Sequence, residues 1–64
     1  DHKETEKWIK LSAEQNNADA QCLLGDMYLE GMGVTEDYAE AIKWWKLAAE
    51  QGHERAKYNL DNYK

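Results

Sequence analysis

The chain has 64 residues, room for one domain at most, and a fold of this size buries only about 60% of the surface that its unfolded chain exposes. Thirteen acidic residues against eight basic ones leave a formal net charge of −5, which argues against a nucleic-acid binder, since tracking phosphates needs a basic face. No stretch approaches the roughly 18 apolar residues of a membrane span, and no signal-peptide pattern is visible. The chain begins at Asp1 and reads as a processed or excised piece, so the compartment stays undecided. Cys22 is the single cysteine; it permits no internal disulfide and no cysteine-rich metal site, and reads as a small buried or half-buried hydrophobe.

The first helix is expected at about 3–15, with Trp8, Leu11, Ser12 and Gln15 on one face at helical spacing. Asn16 ends it. Asn17 then caps a second helix at 18–30, and Asp19 is favourable near its positive end. In that helix Ala20, Leu24, Met27 and Tyr28 recur at three- and four-residue steps. Gly25 interrupts it at a cost of about 1 kcal/mol relative to alanine, which implies that another helix passes close by. Gly31 and Gly33 break the pattern and Val34 tucks back as an apolar plug. Asp37 with Glu40 forms a capping box for a third helix at about 37–51, whose apolar face is Ala41, Trp44, Trp45, Ala48 and Ala49. Gly52 closes it. A fourth helix at about 54–63 carries Ala56, Leu60 and Tyr63. Alternating apolar–polar runs are absent, so the fold class is all-α, and short connections make successive helices antiparallel neighbours. Trp8 and Trp44, opposite alanines, read as core; Trp45 faces a neighbouring repeat.

The chain repeats itself. Residues 7–15 align with residues 43–51 at an offset of 36, and seven of the nine positions are identical. Ala20 matches Ala56 and Leu24 matches Leu60. Asn16 pairs with Gly52, two residue types that tolerate the left-handed backbone closing a helix.

The run Ala20, Leu24-Gly25, Tyr28, Gly31-Met32-Gly33-Val34, Asp37, Ala41, Trp44, Ala48-Ala49, Gln51-Gly52 and Ala56 resembles the Sel-one-like repeat family, relatives of the tetratricopeptide repeats. The likeness covers essentially the whole chain. It implies a short right-handed α-solenoid of about four helices: 2–16 as the second helix of one repeat, 18–53 as a complete repeat, and 54–64 as the first helix of the next. Asp61 stands where the complete repeat has Gly25, and one Cys22 does not fit the cysteine-paired branch of the family. About three repeats are normally needed for independent stability. This chain is therefore expected to be a fragment of a longer array, or a unit whose open ends self-associate.

The resemblance also implies a protein or peptide partner held on the concave face. Projecting the tetratricopeptide pattern places Asp19, Cys22, Asp26, Leu29 and Glu30 there, and the 36-residue offset adds Arg55, Tyr58 and Asn62. Tyr58 is the expected aromatic anchor. Catalytic candidates are thin. His2 and His53 read as exposed terminal or connector residues, and no His-Glu-x-x-His or His/Cys spacing suits zinc. Ser12 lies in a helix outside any nucleophile elbow. Glu36, Asp37 and Glu40 cluster at a helix start, as the dipole explains. No cofactor is implied. Some bacterial relatives have been linked to β-lactam hydrolysis, but no nucleophile–base pair is legible here.

Overall fold

The computed structural model describes residues 2–63, with side-chain surroundings from Glu4 to Tyr63; the side chain of His2 lies outside the described residues. Four helices follow in order: α1 (His2–Glu14), α2 (Ala18–Glu30), α3 (Tyr38–Glu50) and α4 (Glu54–Asn62). The ends fall within a residue of the ranges expected from the pattern, and no strand occurs among the described residues. Each helix packs on the next in the chain, α1 on α2, α2 on α3 and α3 on α4. That succession is an α-helical solenoid.

The turns show why the chain folds back where it does. Asn16 and Gly52 adopt left-handed backbone at φ 69° and 87°. The following residue in each case returns its N–H to a carbonyl five residues earlier, Asn17 to Ser12 at 3.1 Å and His53 to Ala48 at 3.2 Å. The 36-residue repeat is thus a repeat of backbone geometry. Asn17 caps α2 by accepting the Ala20 N–H, and Asp37 caps α3 by accepting the Glu40 N–H; each satisfies a donor that the first helical turn leaves without an internal partner. Between α2 and α3, Gly31 turns the chain at φ 67° and the Asp37 N–H donates to the Tyr28 carbonyl at 2.9 Å. Val34 packs, half-buried, on the cluster beneath it, as the plug reading expected.

Two apolar clusters flank α2. Ile9 and Ala13 of α1 meet Ala20, Leu24 and Met27, and Tyr28, Val34 and Trp44 close over them. On the other side Cys22 joins Ala41, Trp45, Ala48 and Ala56. Trp45 is fully buried and donates its indole N–H to the Cys22 carbonyl at 3.2 Å. Its ring lies where a side chain at position 25 would begin, since a Cβ on Gly25 would sit 2.5 Å from the indole and 3.0 Å from the Ala41 carbonyl oxygen. The glycine inside α2 is therefore required by close approach of α3. Gln21, buried at 2% exposure, ties the turns together: its amide donates to the Ala13 carbonyl and to Asn16, and it accepts from Gln51.

Two assignments of tryptophan need revision. Trp8 is 61% exposed and Leu11 57% exposed, whereas Ile9 and Ala13 are buried, so the buried face of α1 is rotated by about one residue, roughly 100°, from the expected one. The cause lies in the neighbours. Trp44, the repeat mate of Trp8, is half-buried because Tyr28 and Val34 lie against the same cluster; α1 packs chiefly on α2. Trp44 is also less settled than a core residue, for its indole nitrogen is buried without a hydrogen-bond partner among the described residues, a cost of about 1–3 kcal/mol. Trp45, the mate of Ile9, forms the centre of the second cluster and, as expected of it, faces the following helix, through Ala56 and Tyr63.

Candidate partner-binding surface

Helices α2 and α4 lie side by side, joined by polar contacts at their exposed edges. Asp26 on α2 accepts from Arg55 at 2.9 Å and from Asn59 at 3.2 Å, both on α4. Arg55 and Asn59 are four residues apart and so share one face of the helix. Near the N-terminal ends of both helices, His53 meets Asp19 at 2.8 Å. Above the Asp26 contact opens a groove of about 700 Å³ reaching from α1 across α2 to α4.

Of the eight expected surface residues, Asp26, Leu29, Glu30 and Arg55 line this groove. Asp19 is exposed beside it and engaged with His53. Tyr58 is 68% exposed, and Asn62 is exposed with its amide donated to the Tyr58 carbonyl. Cys22 is the correction. It is 1% exposed, packed under α4 with Ala56 and receiving the Asn59 amide on its sulfur at 3.9 Å. Burial pushes its thiol above the usual range, and Asp26 adds to the effect. It is a neutral core group and offers nothing to a partner. Cys22 and Tyr58 occupy the same repeat position; α4 covers the first, while the second projects from α4 itself.

Asn59, Met32 and Glu6 also line the groove and were not foreseen. Asn59 was findable, standing four residues after Arg55. Met32 and Glu6 were not, because their approach depends on the path of the loop: Gly33, at φ 75°, leaves the space into which the Glu6 carboxylate reaches.

Asp26 is the electrostatic centre of the surface. Burial raises its pKa above the ordinary 3.8, and the pull of Arg55 in the opposite direction only partly offsets this; the Trp45 indole also favours the charged form and Glu30 opposes it. The folded state therefore holds a proton that the unfolded chain gives up. Asp26 contributes a loss of stability that begins as pH rises through 3.8 and is complete above its raised folded value. Carboxyl NMR should show Asp26 titrating above 3.8, and Asp26→Asn should remove its share of the falling slope in urea midpoints between about pH 3 and 7.

His53 proves more than an exposed connector. It is half-buried, and its Nδ1 accepts the Ala56 N–H, capping α4 as Asn17 caps α2. With Nδ1 accepting, the proton sits on Nε2 and is donated to Asp19. Both ring nitrogens are thus engaged, leaving no lone pair for a catalytic base. His53→Ala is expected to cost about 1 kcal/mol through the lost cap. His53→Asn keeps a capping oxygen and loses only an exposed pair, so it should stay within about 0.5 kcal/mol of the parent; urea denaturation distinguishes the two.

The Sel1 repeat family model matches residues 1–17 and 18–53. The chain belongs to the Sel1 repeat family. No match to it is found among curated proteins or solved structures. Sel1 repeats are in general protein–protein interaction modules and not enzymes. Among the described residues no helix is long and apolar enough to cross a membrane, and no group of three or more His, Cys, Asp or Glu side chains is placed to hold a metal ion.

Proposed function

We propose that this Sel1 repeat segment is an adaptor that holds a peptide or protein partner on the concave face built by α2 and α4. The observation that carries the reading is the groove beside Asp26, Arg55 and Asn59, with half-buried Leu29 within it and exposed Tyr58 on the adjoining helix. Polar groups already oriented by each other present fixed donors and acceptors, and an exposed tyrosine supplies contact area at low entropic cost. A displayed peptide library selected against the chain should yield binders that weaken at least tenfold on Arg55→Ala combined with Tyr58→Ala, a change of about 1.4 kcal/mol or more. The helical circular dichroism should be retained. Binders indifferent to the double substitution would remove this face from consideration.

A second reading rests on α1. Trp8 and Leu11 form an exposed apolar stripe on its outer side, and two copies pairing there would make self-association the main behaviour. Sedimentation equilibrium separates the readings: mass rising with concentration, and abolished by Trp8→Glu, favours pairing, whereas a constant monomer mass favours the adaptor.

A further inference from the structure

The charge and wall chemistry of the groove select among partners. Glu6, Asp26 and Glu30 line it against one cation, Arg55, so three negative charges and one positive leave a balance of −2. Arg55 does not close the site. Its side chain is 62% exposed at the flank and reaches a single carboxylate oxygen of Asp26, while Asn59 takes the other. A carboxylate offers about four lone-pair sites, so Asp26 retains room for a further donor. Burial raises the Asp26 pKa more than Arg55 lowers it, which means that the resident cation undercompensates the charge. Glu30, one turn further along α2, forms no ion pair among the described residues and adds its own field to Asp26. Apolar surface stands on the same stretch: Leu23 is 38% and Met32 51% exposed, and a methionine side chain adapts its shape to what covers it.

We propose that the groove takes a short segment of a partner chain carrying a lysine or arginine between apolar residues, the cation meeting Asp26 and Glu30 and the apolar neighbours covering Leu23 and Met32. The inference rests on the concave face being the partner surface and names the chemistry that it selects. From Leu23 to Glu30 the helix runs about 10 Å, the length of about three extended residues. An acidic or phosphorylated segment meets like charge and is disfavoured.

The test uses two end-capped pentapeptides, one alternating leucine with lysine and the other leucine with glutamate, titrated into the isotope-labelled chain and followed by amide shifts. The lysine peptide is expected to shift Leu23, Asp26, Glu30 and Met32 saturably. Its affinity should fall at least tenfold on Asp26→Asn combined with Glu30→Gln, and also on Glu30→Lys alone, which alters only an exposed position. Asp19→Asn combined with Glu14→Gln removes as much charge outside the groove and should change affinity less than twofold. An equal loss from the two double variants means that net charge alone attracts the peptide and overturns the inference. Equal binding of the glutamate peptide in the groove also overturns it, while leaving the concave face as the partner surface. Shifts confined to the outer sides of α1 and α3 overturn both. Binding of neither peptide refutes the basic–apolar chemistry, and the library selection then judges the surface independently.

Discussion

Trp45→Ala is expected to cost about 3–5 kcal/mol, the range for removing a fully buried aromatic from a core that cannot collapse around the gap. At the usual 0.05–0.15 kcal/mol per residue, a chain of 64 residues has roughly 3–10 kcal/mol in total. The loss is therefore comparable with the whole. Trp45 is 0% exposed, touches α2 through Gly25 and the Cys22 carbonyl, and stacks at 5.6 Å with Tyr63 beyond α4. Removing it separates three helices at once. Far-UV circular dichroism should show most of the helicity lost without denaturant. Trp8→Ala, which removes the same side chain from an exposed site, should change stability by less than about 0.5 kcal/mol. Equal effects of the two substitutions would place the core elsewhere.

Gly25→Ala should destabilise, by up to about 2 kcal/mol, although alanine is the better helix former. The intrinsic preference favours the substitution by about 1 kcal/mol. Against it stands a methyl 2.5 Å from a buried indole and 3.0 Å from the Ala41 carbonyl. An indole packed on all sides has no free rotamer to take, and overpacking of this kind costs about 1–3 kcal/mol. The collision has one main partner, which makes the prediction sharp: in a Trp45→Leu background the alanine should cost far less or stabilise. A double-mutant cycle in urea should give a coupling of 1 kcal/mol or more. Additive effects would mean that the glycine is present for some reason other than the approach of α3.

These two residues mark how much the sequence discloses. The interruption at Gly25 announced a close neighbour without naming it, because periodicity within a helix says which positions share a face and not which face is covered. The same limit explains α1. Both the Trp8–Leu11 stripe and the Ile9–Ala13 stripe have helical spacing, and only the packing on α2 decides between them. Caps and turns were legible from single residues: Asn17, Asp37, Asn16 and Gly52 act through their own backbone geometry, which needs no distant partner. His53 carried a readable signal in its alignment with Asn17, obscured by its being a less usual cap. The polar site was half legible. Asp26 and Arg55 were each placed on the right surface by the repeat, but their contact joins residues 29 apart in the chain and depends on how α4 lies against α2. Cys22 shows the converse, for a repeat position that faces outward on the last helix is covered on the one before it.

The most direct test of the adaptor reading is an amide shift map of the labelled chain with the tightest peptide from the library selection. Shifts centred on Asp26, Leu29, Glu30 and Arg55, fading along α1 and α3, are the result predicted. Shifts centred on Trp8 and Leu11, or on the outer face of α3 around Lys43 and Leu47, with the α2–α4 groove unmoved, would contradict it.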